Sequence, residues 1–425
     1  MKNLKIAVIG AGSTYTPELV NGFLSRADCL NADSIFMMDI DERKNSIVSG
    51  LAQRMISAKG LKTRLVITNN LEEAIEGADY IMAQIRVGKL PARILDEKIP
   101  LKYDLLGQET TGVGGFFKAL RTIPVMKKVA ETMERTAKDA WLINFSNPSG
   151  IIAEMFAQTS DINYVGLCNA PINTERMLRK KLPDAKIFDY DFVGLNHFHW
   201  VTRVEADGID VLPQLFKDEE FRKLNEKTYD EEFLRVIGGI PSGYLNYYYF
   251  RDETIKKCKE AEKSRGETCI NIEEELLTMY QDTSLNEKPA LLDKRGGAMY
   301  SEAAVSLVDA IENDKNSIHV VNTKHCGTIP FLDKNDIAEV KCIVGKDGPK
   351  PLPLLNENIS EHIIGMIRVI KAYEKLTVTA GLTGDYETAF RALITHPLIG
   401  DYPKSKAVLD EMLEAHKQYL PAFFK

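Results

Sequence analysis

Two side chains that could bind one metal ion follow predicted strands in separate parts of the chain. Cys168 lies in GLCNAPIN (166–173), and His197 lies in GLNHFHW (194–200). A thiolate and an imidazole can ligate one divalent cation, and two protein ligands would leave positions open for substrate and water. From the spacing alone, the simpler interpretation is that neither residue binds a metal, and that Cys168 is a buried free thiol and His197 a histidine packed in the core. His199 is an alternative ligand, because alternate residues of a strand share a face.

A glycine-rich turn near the N-terminus could bind a dinucleotide. GAGSTYTPE (10–18) follows an apolar run and opens a predicted helix, although Tyr15 replaces the third glycine of the usual pattern. Such glycines permit a tight turn and close approach of the backbone to a pyrophosphate at a helix N-terminus. Asp39 ends the second predicted strand, where a carboxylate favours NAD because it would repel the 2′-phosphate of NADP. The predicted cofactor-binding residues are Gly10, Gly12, Ser13, Thr14 and Asp39.

Three other segments carry groups that could contact a ligand. GQETTGVGGF (107–116) combines four glycines with one acid, which could let the backbone approach a ligand, although an ordinary irregular loop fits equally well. NFSNPSG (144–150) ends a predicted strand with two amides and a hydroxyl suited to sugar hydroxyls. IPSGYLNYYYF (240–250) places four tyrosines within six positions, and most of them must belong to the core or to an interface.

The elements that must position these residues alternate between strand and helix through the first half of the chain. This alternation predicts βαβ units, a parallel sheet and an α/β fold. We predict an N-terminal Rossmann-like NAD-binding domain over 1–190 and a tightly packed C-terminal α+β domain over 191–425. Within the second domain, 191–205 alternates like a pair of strands, and AEVKCIV (338–344) is a further strand.

The composition of the 425-residue chain limits the classes of function. Its 44% hydrophobic and 27% charged residues are typical of a globular protein, and a net charge of −7 argues against nucleic-acid binding. No apolar run reaches about 18 residues, so no membrane span or targeting segment is predicted. Six dispersed cysteines without a CxxC pair indicate free thiols in a reducing compartment, which we expect to be the cytoplasm.

Taken together, the motifs resemble those of glycoside hydrolase family 4, the NAD-dependent and metal-dependent glycosidases. The resemblance runs from residue 5 to about residue 400, and it rests on GSTYTPE, IPLKYDLLGQETTGVGGF, NFSNPSG, GLCNAPIN, GLNH, the PSGYL segment, KRGGAMYS and ITHPL in this order. The pair Cys168-Asn169 resembles the 6-phospho-β-glucosidase branch, whereas α-acting branches tend to carry Asp or His after the cysteine.

The resemblance implies hydrolysis of 6-phospho-β-glucosides, such as cellobiose 6-phosphate or aryl 6-phosphoglucosides, to glucose 6-phosphate. The implied cofactors are NAD+ and Mn2+, although thiolate and imidazole ligands alone would suit zinc. The implied steps are oxidation at C3, removal of the C2 proton, elimination of the aglycone, addition of water and re-reduction. The family is thus an exception to catalysis by two carboxylic acids.

Residue roles follow from the same resemblance. Cys168 and His197 match the metal ligands, Tyr244 matches the catalytic base, and Glu109 matches the acid that raises the basicity of that tyrosine. Asn169 completes the predicted catalytic residues, but an amide cannot act as a carboxylic acid, so the leaving group would need another proton source. The predicted substrate-binding residues are Arg93, Asn147, Arg265 and Arg295, of which the arginines suit a phosphate.

Several alternatives stay open at this point. A 6-phospho-α-glucosidase or α-galactosidase of the same family differs mainly at the Cys-Asn pair. A dehydrogenase related to lactate and malate dehydrogenases would share the nucleotide-binding half, but it gives no role to Cys168 with His197. A nucleotide-sensing module without activity is a third alternative. We also expect a homodimer or homotetramer.

Overall fold

The computed structural model describes residues 1–224, 228–294, 300–356 and 358–425. Across these ranges thirteen strands form two sheets. In chain order they are β1 (Asn3–Ile9), β2 (Asn31–Met38), β3 (Arg64–Thr68), β4 (Tyr80–Ala83), β5 (Trp141–Asn144), β6 (Asn163–Gly166), β7 (Phe188–Leu195), β8 (Phe198–Ala206), β9 (Ile209–Asp210), β10 (Ile240–Pro241), β11 (Ser317–Lys324), β12 (Ile337–Gly345) and β13 (Gly348–Pro351).

The large sheet has the strand order expected of a dinucleotide-binding domain. Strands β3, β2, β1, β4, β5 and β6 lie side by side in that order and are all parallel. Strand β4 is buried at every position, as expected for a parallel strand that helices cover on both faces. The order reverses between β1 and β4, which is where doubly wound sheets bind ligands.

Helices cover both faces of this sheet and build most of the second half of the chain. Within the described ranges they are α1 (Thr16–Leu24), α2 (Glu42–Ala58), α3 (Leu71–Ile75), α4 (Lys89–Lys98), α5 (Gly112–Thr136), α6 (Ser149–Thr159), α7 (Ala170–Lys181), α8 (Leu212–Lys217), α9 (Glu219–Arg222), α10 (Glu231–Ile237), α11 (Asn246–Tyr249), α12 (Arg251–Glu260), α13 (Arg265–Tyr280), α14 (Leu291–Lys294), α15 (Tyr300–Glu312), α16 (Glu361–Thr383), α17 (Tyr386–Thr395) and α18 (Tyr402–Ala415). None of the helices in the described part of the chain combines the length and apolar character needed to cross a bilayer.

The C-terminal half packs directly onto the N-terminal half. Strands β11, β12 and β13 continue the large sheet beyond β6 in antiparallel order, so one sheet contains nine strands from both halves. Strands β7, β8, β9 and β10 form a separate antiparallel sheet. The predicted α/β fold with a tightly packed second part is confirmed. The boundary near residue 190 remains a prediction, and it falls within β7.

Candidate active site

A cleft of about 1860 Å³ opens at the carboxyl ends of the parallel strands. Most of the residues predicted from the sequence line it, namely Gly10, Gly12, Ser13, Asp39, Arg93, Glu109, Asn147, Cys168, Asn169, His197, Tyr244 and Arg265. Thr14 does not line the cleft, because its side chain is fully buried. Arg295 lies outside the described residues.

The dinucleotide turn between β1 and α1 requires its two glycines for different reasons. Gly10 has a φ of +89°, and a Cβ atom there would lie 2.9 Å from the carbonyl oxygen of Gln84. The N–H of Gly12 donates to Asp39 Oδ2 at 2.8 Å, and a Cβ atom at Gly12 would lie 3.0 Å from the same oxygen. Asp39 therefore fixes the turn in addition to any contact with a ribose. Tyr15, in place of the third glycine, also lines the cleft.

The backbone carries Cys168 and His197 to the cleft from two sheets. Cys168 follows β6 by two residues, and its sulfur accepts a hydrogen bond from the N–H of Ala170 at 3.4 Å. Asn196 and His197 form the two-residue turn between β7 and β8. His197 has a φ of +61°, a conformation that few residues other than glycine adopt and that is common at functional sites.

The electrostatics of these two groups suit a metal-binding role. Burial lowers the pKa of His197 to about 3, so the imidazole is neutral near pH 7 and has a lone pair to donate. Burial also raises the pKa of the Cys168 thiol, with Glu339 contributing, so a thiolate there needs a nearby cation. The described residues contain no cluster of three His, Cys, Asp or Glu side chains that could enclose a metal. A thiolate and a neutral imidazole are two ligands that fit an open cation site completed by substrate and water.

Tyr244 is placed against His197 by a short strand and a tight turn. Strand β10 pairs with β8, the N–H of Ser242 donates to the carbonyl of His199 at 3.0 Å, and a 3-10 helix spans Gly243–Leu245. The rings of Tyr244 and His197 stack with their centroids 4.1 Å apart. Burial raises the pKa of Tyr244 well above 10, and the Cys168 thiolate adds to that rise.

Glu109 lies in a cluster of three cations. Its carboxylate contacts Arg86, Arg93 Nη1 at 3.1 Å and Lys118 Nζ at 3.0 Å, and these cations hold its pKa well below the usual range despite burial. Burial and the charge of Arg86 lower the pKa of Lys118 to about 7. Arg86 and Lys118 were not among the residues predicted from the sequence. An arginine three residues after buried β4 and a single lysine within FFKAL were the available signals.

The predicted substrate arginines differ in their availability. The guanidinium of Arg93 is shared between Glu97 at 2.7 Å and Glu109, and its side chain is only 11% exposed. Arg265 begins helix α13 and lines the cleft, with Nη2 donating to the carbonyl of Lys294 at 3.3 Å. Of these two arginines, Arg265 is therefore the more accessible to an incoming anion.

The tyrosine-rich segment divides between cleft and core. Tyr244 and Tyr247 line the cleft. The hydroxyl of Tyr248 lies 2.9 Å from Thr111 Oγ1, and that of Tyr249 lies 2.9 Å from His362 Nε2. The predicted alternative ligand His199 also lines the cleft; it is buried on β8, with Nδ1 3.4 Å from Glu339 Oε2. It therefore faces a carboxylate on one edge of its ring.

Known proteins match this chain over nearly its whole length. The model described as family 4 glycosyl hydrolase matches residues 5–183, and that of the family 4 glycosyl hydrolase C-terminal domain matches residues 192–399. A probable 6-phospho-β-glucosidase of Bacillus subtilis is 40% identical over 100% of this chain and 98% of its own length. The 6-phospho-β-glucosidase of Escherichia coli is 34% identical over 99% of this chain and 97% of its own length.

A solved structure provides the corresponding comparison in three dimensions. The 6-phospho-β-glucosidase from Thermotoga maritima, solved with manganese, NAD+ and glucose-6-phosphate, has a TM-score of 0.90 and 36% identity. The match covers 98% of this chain and 99% of that chain. The resemblance drawn from the motifs is confirmed: this chain belongs to the family 4 glycosyl hydrolases.

Proposed function

We propose that this enzyme hydrolyses 6-phospho-β-glucosides to glucose 6-phosphate. The proposed cofactors are NAD+ and a divalent cation, which we expect to be Mn2+. The observation that carries the proposal is the meeting of three features in one cleft. These are the dinucleotide turn at Gly10 and Gly12, the ligand pair Cys168 and His197, and Tyr244 stacked on His197. A simple dehydrogenase needs the first feature but has no use for the other two.

Each group has a chemical task in this proposal. When bound, NAD+ would take a hydride from C3 of the sugar and later return it, while the cation would withdraw electron density from the C3 oxygen. Cys168 and His197 would hold the cation, and the neutral imidazole would not repel it. Tyr244 would remove the C2 proton, which is acidic because it lies α to the oxidised carbon. The aglycone then leaves from C1 by elimination, and water adds in its place.

Glu109 and the cations around it act on the proposed base in opposite directions. The negative charge of Glu109 raises the pKa of Tyr244 and so increases the basicity of its phenolate. Arg86, Arg93 and Lys118 around Glu109 counteract this effect. Asn169 lines the cleft beside Cys168, and its amide cannot donate a proton as an acid would. Protonation of the leaving oxygen therefore falls to water or to another group.

The substrate is proposed to be β-linked and phosphorylated. The three relatives described above are all named 6-phospho-β-glucosidases, and the Cys168-Asn169 pair agrees with that branch. Arg265 is our proposed phosphate contact, because it is more accessible than Arg93, the other predicted arginine that lines the cleft, and a guanidinium can bind a phosphate with two hydrogen bonds. Asn147 is proposed to contact sugar hydroxyls.

A turnover assay tests the proposal. We expect p-nitrophenyl β-glucoside 6-phosphate to be cleaved only when NAD+ and Mn2+ are both present, without accumulation of NADH. The α-linked isomer and the unphosphorylated β-glucoside should be poor substrates. Preferred cleavage of the α-linked isomer would support the α-acting alternative. Stoichiometric release of NADH would instead support a dehydrogenase.

We also propose a cytoplasmic location and a homo-oligomer. All six cysteines are free, and a thiolate ligand such as Cys168 persists best in a reducing compartment. Tyr248 and Tyr249 are satisfied within the chain, so the tyrosine-rich segment gives less support to an interface than its sequence indicated. Light scattering coupled to size-exclusion chromatography would measure the mass of the assembly directly.

A further inference from the structure

A fully buried carboxylate lies behind the proposed cation site. Glu339 is on β12, in the part of the large sheet that the C-terminal half contributes, and it is 0% exposed. Its Oε1 accepts hydrogen bonds from the side-chain amides of Asn196 and Asn322, each at 3.1 Å. Its Oε2 lies 3.4 Å from Nδ1 of His199. Two amides and one imidazole edge are thus its polar neighbours.

Within the described ranges, no lysine or arginine forms an ion pair with Glu339. A buried carboxylate without a cation is costly, because amide hydrogen bonds replace only part of the hydration that it loses. Other buried carboxylates of this protein have such a partner: Glu154, for example, contacts Lys371 Nζ at 3.0 Å. The charge of Glu339 therefore lacks the compensation found elsewhere in the fold.

The effect of Glu339 reaches the cleft through Asn196. This residue directly precedes His197 in the turn between β7 and β8, and its Oδ1 accepts a hydrogen bond from the N–H of Gly150 at 3.1 Å. Burial and the charge of Glu339 raise the pKa of the Cys168 thiol, and the side chain of Asn196 opposes that rise. Through its hydrogen bond to Asn196, the buried carboxylate is thus connected to the turn that bears His197.

We infer that Glu339 is a positioning residue of the cation site. Glu339 holds the turn that bears His197, and it supplies the second negative charge that balances a divalent cation. This inference rests on the proposed function. A divalent cation with one thiolate and one neutral imidazole retains a single positive charge, and the carboxylate of Glu339 neutralises it. Groups outside the direct ligands typically change metal affinity by about 10–100-fold.

The test is the Glu339→Gln variant, with Mn2+ affinity measured from the electron paramagnetic resonance signal of the free ion. Glutamine retains an acceptor oxygen for Asn196 and Asn322 and removes only the charge. We expect Mn2+ to bind about 10–100-fold more weakly. The affinity for NAD+, measured without metal, should change less than about threefold. Without metal, the variant should melt at the same temperature as the wild type or higher, because it has lost an uncompensated charge.

Glu154→Gln is the matched control, since it makes the same substitution at a carboxylate that is also buried but is paired with Lys371. It should lower the melting temperature and leave the Mn2+ affinity unchanged. Equal Mn2+ affinity in Glu339→Gln and wild type would overturn the inference, as would failure of Glu339→Gln to fold. If the wild type itself bound no divalent cation, the proposed function would fail instead.

Discussion

The ring of Tyr244 lies on the imidazole of His197, with the centroids 4.1 Å apart and the planes inclined by 29°. This contact places the proposed base next to a proposed metal ligand. A sugar whose C3 oxygen faced the cation would present its neighbouring C2 hydrogen to the same region. In the proposed reaction, the stack therefore places Tyr244 near C2 and His197, through the cation, near the oxygen on C3.

Replacement of Tyr244 by phenylalanine should separate the base from the stack. The ring remains on His197, while the phenolate oxygen that would accept the proton is lost. General base catalysis contributes about 10²–10⁴-fold, so we expect kcat to fall within that range while the affinities for NAD+ and Mn2+ stay nearly constant. Tyr249→Phe is the control, because the hydroxyl of Tyr249 contacts His362 away from the cleft. This variant should retain the wild-type kcat. Full activity in Tyr244→Phe would assign the base to another group.

Replacement of Cys168 by serine should remove a metal ligand without disturbing the dinucleotide turn. A hydroxyl is a poorer anionic ligand than a thiolate, so we expect Mn2+ to bind more than about a hundredfold more weakly, beyond the effect of groups that do not touch the ion. Calorimetric titration with Mn2+ and with NAD+ would measure both affinities. The exposed Cys326→Ser variant serves as the control for loss of a thiol. Unchanged Mn2+ binding in Cys168→Ser would reject the assigned site.

Two buried lysines, Lys118 beside Glu109 and Lys371 between two other carboxylates, should have opposite effects on stability. The pKa of Lys118 is lowered from 10.5 to about 7, so its positive charge destabilises the folded state. This destabilisation is complete below about pH 7 and disappears above pH 10.5, where the lysine is neutral in both the folded and the unfolded state. Lys118→Met should therefore be more stable than the wild type near pH 7, and the difference should shrink as the pH approaches 10.

Lys371 provides the contrast, because it lies between Glu154 and Glu374 and these carboxylates raise its pKa to about 12. Its charge stabilises the fold at every pH below 10.5, and this contribution is lost as the pH rises through about 12. Lys371→Met should accordingly lower the stability near pH 7. Urea denaturation at several pH values between 6.5 and 9.5 measures both effects. A destabilised Lys118→Met at pH 7 would show that its ion pair outweighs its burial.

Arg265 should determine how strongly the enzyme prefers phosphorylated substrates. Loss of a hydrogen bond to a charged group costs about 1.5–3 kcal/mol, so Arg265→Ala should lower kcat/KM for a phosphorylated glucoside roughly 10- to 150-fold. Any residual turnover of the plain glucoside should change little. Arg251→Ala is a control at an arginine that pairs with Asp252 at the surface. An equal loss with both substrates would remove Arg265 from the phosphate site.

The parts of the site that the sequence predicted are those encoded locally. The turn at Gly10 and Gly12 follows an apolar strand and opens a helix, and the Asn196-His197 turn separates two alternating segments. The physical requirements of such turns act on neighbouring residues, so they leave a pattern in the sequence. The family motifs then connected Cys168 to His197, which spacing alone could not do.

The parts that the sequence did not predict depend on contacts between distant segments. Lys118 lies on α5 and Arg86 follows β4, and they meet only because Glu109 lies between them. Glu339 occurs in AEVKCIV, which indicates a strand but not that this strand joins the large sheet next to β11. A charged residue within an apolar strand usually faces solvent, but here Asn196 of the β7–β8 turn and His199 of β8 pack against it.

The most direct test of the proposed mechanism is the fate of the C2 hydrogen. The wild-type enzyme would hydrolyse a 6-phospho-β-glucoside in D2O with NAD+ and Mn2+, and proton NMR would analyse the glucose 6-phosphate formed. Because elimination removes the C2 proton and water later restores it, we expect deuterium at C2 of the product. Displacement at C1 never touches this hydrogen. Product from an active enzyme with no deuterium at C2 would contradict the mechanism.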